Sequence, residues 1–211
     1  MSTAKKDPLF GPRDIKLLKN PFSKENPIIV QVLGICSTLA VTVKLQPAFV
    51  MAVSVTVVVM MSNFIISLMR NTIPPRIRII VQLVVVSLLV IIVDQILKAL
   101  AYDISKQLSV YVGLIITNCI VMGRLEAFAM SNKPWPSLLD GLGNGLGYGI
   151  ILVAMGIVRE ILGSGTLWDI RIMPEGYIPN GLMIMPAMAL ILLGIIIWIH
   201  RSKNKDLQEN E

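Results

Sequence analysis

The chain has 211 residues, of which 55% are hydrophobic and only 15% charged, with a mean hydropathy of +0.74; soluble domains carry about 25% charged residues. That balance excludes an ordinary soluble domain and makes lipid the main solvent of the chain. The net charge of +6 does not indicate nucleic acid, because the basic residues gather at the chain ends and between apolar runs, where they set membrane topology.

Residues 1–27 are polar and basic, with Lys5, Lys6, Arg13, Lys16, Lys19 and Lys24, and they lack the apolar region and small-residue cleavage site of a signal peptide. A cytoplasmic tail is expected there. Six apolar runs follow, at 28–43, 48–69, 79–93 extended through 100, 108–122, 145–162 and 182–199. A full crossing needs roughly 20 helical residues at about 1.5 Å each. The first and fourth runs fall short and end in cations, Lys44 and Arg124, so both are predicted to be half-helices. Pro74-Pro75 and Pro134-Trp135-Pro136 precede the third and fifth runs, since proline ends helices cleanly. Trp135, Trp168, Trp198 and Tyr177 stand near run ends, the place of interfacial aromatic anchors. Residues 202–211 are polar and read as a second, solvated tail.

The tract Lys44-Leu45-Gln46-Pro47-Ala48-Phe49-Val50-Met51 after the first run is echoed by Arg124-Leu125-Glu126-Ala127-Phe128-Ala129-Met130 after the fourth. Three crossings separate the copies, so the second enters from the opposite face, as in an inverted repeat. With six crossings both termini share a side, and most of the 19 Lys and Arg residues lie on it, which marks it as cytoplasmic. The predicted fold is an all-α integral membrane protein. Its six-helix domain at 28–201 comprises two inverted three-helix repeats, about 28–105 and 106–201, whose short first helices meet near the bilayer midplane.

One cysteine falls in each short run, Cys36 and Cys119, and the chain has no other. Two cysteines inside apolar runs do not make a disulfide framework. Helical rise from the run starts puts Cys36 about 13 Å and Cys119 about 17 Å deep, from opposite faces. Free cysteine is commonly a small buried hydrophobe. Thiolates at matching depth in two related segments also suit zinc, copper(I) or an iron–sulfur cluster. Two thiolates are half of a four-thiolate site, so a metal reading needs two more from a second copy or a related subunit.

Other polar groups carry ordinary alternatives. Asp94 and Lys98, one turn apart, form a pair on one helix face, and Asp94 is also a candidate for ion handling. Arg159 and Glu160 end the fifth run and fit the interface. Ser37 and Thr38 follow Cys36, and Thr117 and Asn118 precede Cys119; they suit either tuning of sulfur chemistry or helix-to-helix hydrogen bonds. The glycine-rich stretch from Asp140 to Gly149 lacks the spacing and the strand of a dinucleotide fingerprint. Its glycines at 141, 145 and 149, and at 143 and 147, instead permit close backbone packing. His200 is the lone histidine, so no Ser–His–Asp set exists and hydrolytic catalysis is excluded.

Several tracts resemble the D-type membrane subunits of bacterial sodium-translocating NADH:ubiquinone oxidoreductases. They are Gln31-Val32-Leu33-Gly34-Ile35-Cys36-Ser37-Thr38-Leu39-Ala40-Val41-Thr42, Ile115-Ile116-Thr117-Asn118-Cys119-Ile120-Val121-Met122-Gly123-Arg124 and Arg159-Glu160-Ile161-Leu162-Gly163-Ser164-Gly165. Val93-Asp94-Gln95-Ile96-Leu97-Lys98 and Tyr102-Asp103-Ile104-Ser105-Lys106-Gln107 are similar too, and the likeness runs from Asn26 to Trp198. The resemblance implies a translocase complex of the bacterial inner membrane that passes electrons from NADH to ubiquinone and exports sodium. It implies that Cys36 and Cys119 ligate a 2Fe-2S centre shared with the homologous, oppositely oriented E-type subunit. Through it electrons pass from the flavin-bearing, NADH-oxidising F-type subunit toward the flavin on the C-type subunit, with the A-type and B-type subunits completing the complex. NADH, FMN, FAD, riboflavin and ubiquinone are then bound in the complex and not by this chain alone. The Rnf ferredoxin:NAD oxidoreductase has a similar component, the nearest alternative. A secondary transporter built on inverted repeats is a third reading, which needs polar ligands at the helix breaks.

Overall fold

The structure is a computed structural model that describes residues 17–18, 21, 26–100, 111, 113–168, 170–171 and 181–203. The six basic residues of the N-terminal tail, the tract 102–107, the start of the fourth run at 108–110, Tyr177 and residues 204–211 lie outside this set. In chain order the helices are α1 (Ile35–Val41), α2 (Leu45–Met69), α3 (Arg78–Leu100), α4 (Cys119–Arg124), α5 (Pro134–Ser164) and α6 (Pro186–Lys203). A two-residue antiparallel ladder, Thr166–Leu167 with Ile170–Arg171, and a 3₁₀ turn at Gly181–Ile184 lie between α5 and α6. The rest of the described residues are helix and connecting turns, as an all-α fold predicts, and α2, α3, α5 and α6 are long and apolar enough to cross a membrane. Pro134 opens α5 where a missing N–H costs nothing. Gly165 closes it in the left-handed conformation at φ 67°.

The two short runs are more broken than their hydrophobicity suggests. Only Ile35–Val41 of the first run is helical, and residues 27–30 form a turn. The cause is local: the Asn26 side-chain oxygen accepts from Ile28 N (3.0 Å) and Ile29 N (3.2 Å), and Val32 and Gly34 both take positive φ. In the fourth run, residues 113–116 are helical, Thr117 and Asn118 break the helix, and α4 restarts at Cys119. The depths counted along continuous helix therefore do not apply. Arg124 does not close this segment either, because α4 continues as a π-helix through Leu125–Ala129. Its charge is tolerated there because the guanidinium grips the buried Asp140 carboxylate with two nitrogens, Nε at 2.9 Å and Nη2.

The core of the bundle is the α2–α5 contact. Glycine makes it possible. A Cβ on Gly141 would stand 2.9 Å from Met60 Cα, one on Gly145 would stand 2.8 Å from Thr56 Cα, and one on Gly149 would meet Ala52 Cβ at 3.2 Å. The second glycine row faces the N-terminal segment instead, with Gly143 against Leu17 and Gly147 against Pro21. Outside this pair, α3 presents Ile80, Val84, Leu88 and Ile91 and α6 presents Ile191, Ile195 and Trp198 as exposed apolar side chains, the surface expected to meet lipid. Asp94 and Lys98 on α3 pair at 2.5 Å, as their spacing predicts.

Candidate metal centre

Cys36 is the second residue of α1 and Cys119 the first of α4. Each sulfur therefore stands where a short helix begins, immediately after a break in the chain. The breaks bring the two segments together: Asn118 Nδ2, beside Cys119, reaches Ser37 Oγ, beside Cys36, at 3.3 Å, and the two cysteine side chains are neighbours. Both cysteines are free and exposed, whereas their neighbours Ser37, Asn118 and Ile120 are fully buried.

Behind the sulfurs lies a buried polar knot. Ser37 Oγ is 2.9 Å from Gly34 O, 2.7 Å from Tyr148 Oη and 3.3 Å from Asn118 Nδ2. Asn118 in turn caps α4, its side-chain oxygen accepting from Ile120 N at 3.3 Å. Gly34 is required twice over: its φ is 80°, and a Cβ would stand 3.1 Å from the Tyr148 ring. Sequence reasoning weighed Ser37 and Asn118 as donors but missed Tyr148, which lies within the glycine-rich stretch of α5. The available signal was a phenol inside a glycine-rich apolar helix, since a buried Tyr hydroxyl needs a partner.

Arg159 and Glu160, expected at the interface, are buried and hold the corner between α1 and α2. Arg159 donates to Leu39 O (3.2 Å) and Thr42 Oγ1 (2.7 Å) at the end of α1, and to Met183 O (3.2 Å) and Ile184 O (2.8 Å) in the 3₁₀ turn. Glu160 Oε2 accepts from Leu45 N, the first amide of α2, at 2.6 Å. A cation at one helix C-terminus and an anion at the next N-terminus both complement the helix dipoles.

Two adjacent thiols, open on one side and backed by hydrogen-bonded protein on the other, fit one half of a four-thiolate metal centre. Among the described residues no group of three or more His, Cys, Asp or Glu side chains is placed to hold a metal ion. Residues 15–197 match the family model described as "Rnf-Nqr subunit, membrane protein". The chain is 56% identical over 199 residues to the D subunit of the Na(+)-translocating NADH-quinone reductase of Tolumonas auensis, covering 92% of this chain and 93% of that relative. It is 58% identical over 194 residues to the protein of the same name from Aeromonas hydrophila, covering 90% and 92%. A match across nearly the whole chain at this level shows that the protein belongs to the Rnf-Nqr family of membrane subunits.

Proposed function

We propose that this chain is the D-type subunit of an inner-membrane, sodium-translocating NADH:quinone oxidoreductase, with Cys36 and Cys119 supplying two of four thiolates to a 2Fe-2S centre. The observation that carries the reading is the juxtaposition of the chain's two cysteines, exposed together at two helix breaks that are bonded to each other through Ser37 and Asn118. The names of its relatives supply the reaction. A homologous E-type subunit of opposite orientation completes the thiolate set, and the inverted repeat expected from the sequence suits such a partner. When bound, a 2Fe-2S group supplies one-electron transfer within the membrane. This chain's part is to hold two sulfurs adjacent, keep their segments rigid through Ser37, Asn118 and Tyr148, and exclude water from that side. Both termini face the cytoplasm in this reading, and NADH, the flavins and ubiquinone are bound by other subunits.

A transporter reading needs polar ligands at the breaks that are free to meet a substrate, whereas Ser37, Asn118 and Tyr148 are buried and bonded to one another. The test is NADH-driven quinone reduction and sodium uptake by inverted membrane vesicles carrying the complex. Cys36→Ala is expected to abolish both together. Sodium uptake that fails while NADH-to-quinone turnover persists would reject the redox role.

A further inference from the structure

Tyr148 stands on α5, outside both cysteine-bearing segments, yet its hydroxyl is tied to both through Ser37. It lies 2.7 Å from Ser37 Oγ, the residue after Cys36, and Ser37 Oγ is in turn 3.3 Å from Nδ2 of Asn118, the residue before Cys119. The hydrogens can be assigned. Gly34 O can only accept, and Ser37 has one hydroxyl hydrogen, so Ser37 donates to Gly34 O at 2.9 Å and Tyr148 donates to Ser37. Asn118 Nδ2 donates to the remaining lone pair of Ser37 at 3.3 Å, and Asn118 Oδ1 takes the Ile120 amide. Every group in the knot is satisfied, and every one is shielded from solvent. Such networks are rigid when complete and costly when one member is lost, because the others are left unpaired in a dry interior.

Resting on the proposed iron–sulfur reading, we infer that Tyr148 is a positioning residue for the centre: its hydroxyl fixes the spacing of Cys36 and Cys119 by locking Ser37 and Asn118 to α5. Its ring lies against Gly34, 3.1 Å from where a Cβ would be, so Tyr148→Phe preserves the packing and removes only the hydroxyl. Without it the two segments keep their fold but lose their common anchor. The two sulfurs then sit in a wider range of geometries, and hydrogen bonding around them changes, which alters the potential of a bound cluster.

The test uses the whole purified complex and follows the spin-resonance signal that disappears in Cys36→Ala. Tyr148→Phe is expected to retain iron while shifting or broadening that signal and moving its midpoint potential. Ser37→Ala, which removes the same node from the other side, is expected to shift it in the same direction. In the Ser37→Ala background, adding Tyr148→Phe should produce little further change, a coupling that general loosening would not produce. Ser62→Ala, which removes an equally buried hydroxyl bonded to Val59 O at 3.2 Å, serves as the control and should leave the signal unchanged. A Tyr148→Phe signal and potential that superimpose on the parent complex would overturn the inference; should that variant not assemble, Ser37→Ala decides alone by the same criterion. If Cys36→Ala removes no signal at all, it is the cluster reading that fails.

Discussion

Arg159 is fully buried, yet each of its guanidinium nitrogens has an oxygen partner, so its cost in an apolar surrounding is met by bonds that fix three pieces of chain at once. Replacing it by Leu strips donors from the carbonyls of Leu39, Met183 and Ile184. We expect a loss of at least about 3 kcal/mol, read as a fall in the thermal unfolding midpoint of the complex. Glu160→Gln keeps an oxygen for the Leu45 amide and should cost no more than about 1 kcal/mol; equal losses in the two variants would refute this division. The sequence announced the importance of these residues only as charges next to an apolar run. It did not reveal their partners, because Leu39 and Leu45 lie more than a hundred positions away and become neighbours only when α5 packs across the α1–α2 corner.

At the scale of elements, the long helices were legible because length and hydrophobicity alone decide them: α2, α3, α5 and α6 fall on four of the six apolar runs, although α5 begins at Pro134, well before its run at 145, where the prolines read as loop punctuation. The short elements were not legible in the same way. Apolar composition in the first run conceals a turn built by the Asn26 side chain, and the fourth run is interrupted by Thr117 and Asn118 within otherwise apolar sequence. Arg124 misled for a related reason, since a charge that reads as the end of a span is paired inside the protein with Asp140. The glycine spacing, by contrast, signalled close packing, and α5 meets α2 along Gly141, Gly145 and Gly149. Gly145→Ala should therefore destabilise the protein by about 1–3 kcal/mol through overpacking against Thr56. Gly194→Ala on α6, with nothing within 4 Å of the added carbon, should be neutral or stabilise by up to about 1 kcal/mol. Thermal unfolding of the two variants side by side checks the contrast.

For the molecule as a whole, the arrangement is a rigid α2–α5 pair that anchors two interrupted segments and leaves two thiols exposed on a largely apolar surface. In the proposed reading one chain supplies half of a ligand set, so its chemistry belongs to an assembly. Iron, acid-labile sulfide and spin resonance measured on the purified complex, with Cys36 and Cys119 replaced by Ala singly and together, test this most directly. The account predicts that either single replacement removes the same signal, with its iron and sulfide, and that the double replacement removes nothing more. A cluster that survives the double replacement, or that only one of the two cysteines supports, would contradict it.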